Sequence, residues 1–178
     1  MLMKFVNLRK VKATMNREKR YKVLMVCLGN ICRSPAAQGV LERLIAARGL
    51  SDKIEVDSAG TYGGHSGQLP DSRMRNHAGR RGYTLTHRAR QVKAWDFDDF
   101  DLIVGMDDGN IRDLQRLAPS AAARGKVVMM GRYIRNNRYY DYVPDPYYEG
   151  SEGFELVLDL LEDACANLLD EIEGGMWQ

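Results

Sequence analysis

Short, strongly apolar runs alternate along this chain with longer stretches in which apolar residues recur every three or four positions. Val23 to Val26 is such a run and closes on Cys27; Ile54 and Val56 alternate within Lys53 to Ser58; Leu102 to Met106 reads LIVGM and Lys126 to Met130 reads KVVMM. Runs of this length, bounded by polar residues, predict buried strands. Between and after them come helical stripes: Ala37, Val40, Leu41, Leu44 and Ile45; a segment Asp71 to Arg81 closed by Gly82; Ile111, Leu114 and Leu117 before Pro119; and Phe154, Val157, Leu158, Leu161, Cys165, Leu168, Leu169 and Ile172. Apolar residues at those spacings line one face of a helix. The alternation predicts an α/β fold, a three-layer sandwich with a four-stranded parallel sheet and helices on both faces. Ligands in such sheets bind beyond the carboxyl ends of the strands, where Cys27, Ser58 and Asp107 fall. Asp107, standing before its helix, suits a cap.

Composition narrows the classes. The chain has 178 residues, and its three cysteines, Cys27, Cys32 and Cys165, form neither a disulfide framework nor a paired metal-ligand spacing. A reducing, cytoplasmic setting is the default, and no apolar run approaches a membrane span. The net charge of +2 hides an asymmetry: residues 1–20 carry seven Lys or Arg and one Glu, leaving nineteen basic and twenty-three acidic side chains in residues 21–178. Residues 1–20 are therefore set apart as a flexible basic extension, with a start at Met15 or an interaction or targeting arm as other readings; no motif there supports nucleic-acid binding. The chain lacks a Walker-type loop and a three-glycine dinucleotide fingerprint.

The chemistry gathers at VLMVCLGNICRSP, residues 23–35. A strand ending in cysteine runs through a short loop into a helix whose expected N-cap is Ser34, with Pro35 at the first helical position. Loop N–H groups converging on a helix N-terminus make an anion site. A sulfur facing those groups and the Arg33 guanidinium favours thiolate over thiol, and Arg33 can grip a phosphate with two parallel hydrogen bonds. Far downstream, VPDPYY places Asp145 between two prolines that stiffen its backbone and present its carboxyl as a proton donor to a leaving oxygen. Tyr147 and Tyr148 follow it and offer stacking surfaces for an aromatic ring.

CLGNICRSP together with DPYY resembles the low-molecular-weight protein tyrosine phosphatase family, from about Tyr21 to Leu169. The resemblance implies a phosphatase domain over residues 21–178 that hydrolyses phosphotyrosine monoesters through a phosphocysteine intermediate. Cys27, Arg33 and Asp145 would be catalytic. Leu28, Gly29, Asn30, Ile31, Cys32 and Ser34 would hold the phosphate, with Tyr62, Tyr147 and Tyr148 lining the cleft, and Ser58, His87 and Asp107 supporting the loop. It implies no cofactor and no metal, since Arg33 and the loop supply the positive field. It implies phosphotyrosine proteins as partners, a cognate bacterial tyrosine kinase among them, no nucleic acid or membrane, a monomer or weak dimer, and a family in which some members are exported without a signal. A disulfide between Cys27 and Cys32 that spares the nucleophile from over-oxidation is a family property.

Several readings stay open on the residues. Many bacterial relatives carry a bulky aromatic beside the histidine of the YGGHSG segment where this chain has Gly64, so Tyr62 is the candidate substitute for that wall. His65 and His77 have no evident partner and are expected at the surface, and Arg73, Arg75, Arg80 and Arg81 are expected to form a solvated basic face. Competing functions are a thioredoxin-coupled arsenate reductase, which needs relay cysteines absent between Cys32 and Cys165; a protein-arginine phosphatase, whose members tend to carry threonine at the position of Ile31; and a non-catalytic phosphotyrosine-binding module.

Overall fold

The computed structural model describes residues 19–176; the first eighteen residues, with most of the basic extension and Met15, lie outside it. Four strands, β1 (Tyr21–Cys27), β2 (Ile54–Gly60), β3 (Leu102–Gly105) and β4 (Val127–Met129), form one all-parallel sheet in the order β2-β1-β3-β4. The helices are α1 (Arg33–Ala47), α2 (Ser72–Arg80), α3 (Asp96–Asp99), α4 (Asp108–Leu117), α5 (Ala121–Arg124) and α6 (Ser151–Met176), with a 3-10 turn at Met130–Tyr133.

The continuous apolar run of β1 follows from burial on both faces. Val23, Met25 and Cys27 turn toward a core built with α1, α2 and α6, where Leu41, Met74, Phe154, Leu158 and Leu161 are fully or almost fully buried. Leu24 and Val26 turn the other way, with Ile103 of β3, onto Phe97, Phe100, Leu114 and Ala123 of the α3–α5 layer. Each such leucine or phenylalanine contributes about 1.5–3 kcal/mol by leaving water. The three layers expected from the pattern are present. The chain moves outward from β1 to β2 and then crosses to β3 on the opposite side, so the crevice between β1 and β3 is the topological switch point. Cys27 ends one of these strands and Asp107 follows the other.

Two surface expectations are corrected. His77 is buried: Nδ1 meets Glu155 Oε1 at 2.6 Å, Nε2 meets Ser151 Oγ at 3.2 Å, and the ring stacks on Phe154. Arg81 is not a free member of a basic face but donates to Glu155, to Asp159 at 2.8 Å and to Glu162 at 3.3 Å, three carboxylates on one face of α6. Both ties pin α2 to α6. The hydrogen bonds from Arg81 and then His77 hold the Glu155 carboxyl below its ordinary value of 4.5. A depressed carboxylate adds stability that is fully present above 4.5 and lost as pH falls through the lower folded value. Glu155→Gln is therefore expected to flatten the acid side of the melting temperature against pH, read by circular dichroism, while leaving the neutral-to-alkaline shape unchanged.

Candidate active site

The loop joining β1 to α1 is held by its carbonyls. Thr61 N–H donates to Cys27 O at 2.9 Å, Tyr62 N–H to Leu28 O at 2.8 Å and Asp71 N–H to Ile31 O at 2.8 Å. The end of β2 presses so close that a Cβ on Gly60 would lie 2.6 Å from Leu28 O and 3.0 Å from Asn30 N, so only glycine fits there. The helix begins two residues earlier than the pattern suggests. Its N-cap is Cys32, with no side-chain cap, and Ser34 and Pro35 fall inside the first turn. Ser34 is not spent on capping because its hydroxyl is drawn to Cys27 Sγ, 3.0 Å away. Pro35 is tolerated since the first-turn N–H groups have no intrahelical acceptor in any case.

Asn30 organises this corner. Its φ of +55° is the only positive value of a non-glycine residue among those described, a conformation that Asn accepts better than most residues. The backbone N–H of Arg90 can only donate, and it bonds Asn30 Oδ1 at 3.0 Å, which fixes the amide orientation. His87 Nε2 sits on the same oxygen at 3.1 Å and must carry a proton. Asn30 Nδ2 then donates to Ser34 Oγ at 2.8 Å and to Ser58 Oγ at 3.0 Å, and Ser58 passes its own proton to Gln38 Oε1 at 2.7 Å. Having received Asn30, the Ser34 hydroxyl has one proton to give, with Ala59 O at 3.3 Å and the Cys27 sulfur at 3.0 Å both within its reach. Burial keeps the His87 pKa below its ordinary value, against the pull of Asp57 in the other direction.

Asn30 and Ser34 are fully buried and neither lines the cleft, so their side chains support the loop from behind. Asn30→Ala leaves a strained residue and two orphaned hydroxyl partners. It is expected to cost about 2–4 kcal/mol of stability in thermal unfolding and about 10-fold or more in kcat. Asn30→Gly, which relieves the strain, is expected to recover part of the stability and little of the rate.

Arg33 is the charged centre. Its side chain is 3% exposed and donates through Nη1 to Asp107 Oδ2 at 2.6 Å and Val143 O at 3.1 Å, and through Nη2 to Asp145 Oδ2 at 3.4 Å. Burial opposes its charge, but Cys27, Asp107 and Asp145 outweigh that and hold its pKa above the ordinary value. Asp107 serves twice: Oδ1 caps α4 in a reciprocal capping box with Asn110, and Oδ2 braces Arg33. In Cys32, burial first, then the charges of Asp71, Cys27 and Asp145, raise the thiol pKa, and Cys165 is raised likewise by burial.

These groups open onto a cleft of about 230 Å³ lined by Cys27, Leu28, Gly29, Ile31, Cys32 and Arg33 at its floor and by Tyr62, His65, Asp145, Tyr147 and Tyr148 at its walls. The missing aromatic at Gly64 is explained: a Cβ there would overlap the ring of Tyr62, which occupies that space. His65 belongs to the wall, not to the open surface. Its ring approaches Gly29, stands edge-on to Tyr62 at 6.0 Å and bonds Gln68 through Nδ1 at 3.1 Å. Its place beside Tyr62 in a glycine-rich segment was the available clue. Arg90, which also pairs with Asp57 and Asp96, is a second contributor that the pattern did not single out.

Residues 22–175 match the profile of the family described as low molecular weight phosphotyrosine protein phosphatase. The chain belongs to this family. A low molecular weight protein-tyrosine-phosphatase of Streptomyces coelicolor is 42% identical over 159 residues, covering 86% of this chain and 97% of the relative. The crystal structure of a protein tyrosine phosphatase from Entamoeba histolytica superposes with a TM-score of 0.85 at 44% identity, over 88% of this chain and 99% of that one. A Drosophila arginine phosphatase superposes with a TM-score of 0.79 at 33% identity, over 85% and 97%. This phosphatase family thus spans nearly all of the described residues. Among them, no helix is long and apolar enough to cross a membrane, and no group of three or more His, Cys, Asp or Glu side chains is placed to hold a metal ion.

Proposed function

We propose that the protein is a protein-tyrosine phosphatase that hydrolyses phosphotyrosine monoesters through a phosphocysteine intermediate. The observation that carries this is the convergence of Cys27, Arg33 and Asp145, up to 118 residues apart, on one cleft walled by Tyr62 and Tyr147. In the first step Cys27 Sγ forms a bond to phosphorus as the bond to the phenolic oxygen breaks, and Asp145 gives its proton to that oxygen. Arg33 and the N–H groups of Leu28 to Arg33 hold the equatorial oxygens, which carry most of the charge in a loose transition state. In the second step a water oxygen bonds phosphorus and its proton passes to Asp145. The sulfur–phosphorus bond breaks, and the departing thiolate is received by the Ser34 hydroxyl at 3.0 Å. Phosphate leaves and the starting protonation is restored.

Phosphoarginine is the second substrate to weigh, because an arginine phosphatase is among the structural relatives. The cleft favours an aromatic ring: Ile31 on the floor is apolar, and Tyr62 and Tyr147 form flat walls. Assayed side by side, a phosphotyrosine peptide is expected to exceed phosphoserine and phosphoarginine peptides by about 100-fold or more in kcat/KM. Preference for phosphoarginine would overturn the substrate assignment while leaving the cysteine chemistry standing. An arsenate reductase would need a relay thiol, whereas the third cysteine, Cys165, is buried in the α6 core against Ala37 O.

A further inference from the structure

We infer that Arg73 is a positioning residue for the Asp145 loop, holding the proton donor over the cleft through Tyr147. The inference rests on the proposed role of Asp145. Arg73, in the first turn of α2, stands over two rings: its guanidinium carbon is 5.3 Å from the centre of Tyr147 and 4.9 Å from that of Phe154. His77 stacks on Phe154 at 5.5 Å with planes 7° apart, so four flat groups follow one another from the α2–α6 interface to the cleft wall. The guanidinium is fixed there by a two-pronged bond to Asp71, Nε to Oδ1 at 3.0 Å and Nη2 to Oδ2 at 2.8 Å. Asp71 is itself tied to the phosphate loop through its N–H on Ile31 O.

At the other end, Tyr147 N–H donates to Asp145 Oδ1 at 3.1 Å while Arg33 takes Oδ2. Val143 and Pro146 of this loop are buried, but Tyr147 is partly exposed and its neighbour Tyr148 almost fully so, and packing leaves these two rings little to rest on. The Arg73 guanidinium provides that support, and the Asp71 anchor links the acid loop to the phosphate loop. A cation over an aromatic face is attractive by itself, and a planar fork can satisfy the carboxylate and the ring together where lysine cannot.

The test is the dependence of kcat on the leaving group. Proton donation matters for phenyl phosphate and little for 2,4-dinitrophenyl phosphate, whose phenolate departs unaided. Asp145→Asn is expected to slow phenyl phosphate about 100-fold more than the dinitrophenyl ester. Arg73→Met should show the same selective loss, about 10-fold on phenyl phosphate and within about twofold on the other ester. Asp71→Asn, which remains a good helix cap but removes the charged anchor, should lie between Arg73→Met and the unchanged enzyme. An equal loss on both esters in Arg73→Met and Asp71→Asn, or no loss, with Asp145→Asn selective, overturns the positioning role. An unselective Asp145→Asn overturns the acid assignment and this inference with it.

Discussion

Cys27→Ser is expected to lower kcat on a phosphotyrosine peptide by about 10⁴-fold or more while inorganic phosphate and vanadate still bind. The two side chains differ by one atom and Cys27 is 3% exposed, so the fold has little to accommodate. What changes is the nucleophile, since a serine hydroxyl does not ionise at neutral pH and a Ser34 donor at 3.0 Å cannot compensate for that. Binding of the oxyanion rests on Arg33 and the loop, both intact in the variant. The readouts are steady-state turnover, competition by vanadate and a melting curve. Turnover within about tenfold of the unchanged enzyme would remove Cys27 from the mechanism.

Arg33→Lys is the second large effect, expected to lower kcat by about 10³-fold at unchanged net charge. A lysine ammonium is a point donor and cannot hold two equatorial oxygens in parallel, nor reach Asp107, Val143 O and Asp145 together as Arg33 does. The loss should fall mainly on kcat, with a smaller rise in KM, because a charge at the cleft floor still attracts the dianion. Since Asp107 retains its capping bond to Asn110, α4 should persist, and the far-ultraviolet circular dichroism spectrum should match that of the parent. A loss of only a few-fold would mean that the backbone N–H groups alone carry the transition-state charge.

How much of this was legible before any coordinates depends on the range of the forces involved. Three strands, β1, β3 and β4, stood out as the unbroken apolar runs of a parallel sheet covered on both faces, β2 as the alternation of Ile54 and Val56, and α6 as the regular stripe that a helix facing a core demands. Cys27, Arg33 and their loop were legible because they are local, and Asp145 because two prolines flank it. The misreadings involve distant partners. His77 and Arg81 looked like surface charges, but their carboxylate partner Glu155 is 78 and 74 residues away. Ser34 looked like a cap because local geometry allows it, but Cys27 and Asn30 claim its hydroxyl. Tyr62 filling the room above Gly64, and His65 joining it in the wall, depend on how one glycine-rich loop folds back on itself, which periodicity does not encode. The four-residue helices α3 and α5 are too short to carry a stripe at all.

The central claim is that phosphorus passes through sulfur. The direct measurement is rapid mixing of the Asp145→Ala protein with excess p-nitrophenyl phosphate, whose good leaving group lets the first step proceed, with alkaline quenching in milliseconds and peptide mass spectrometry. A phosphoryl group found on Cys27, at up to one per chain during the first turnover and absent from the Cys27→Ser variant, is the result expected. A burst of p-nitrophenol with no phosphoryl group on that sulfur, or the group found on another side chain, would contradict it.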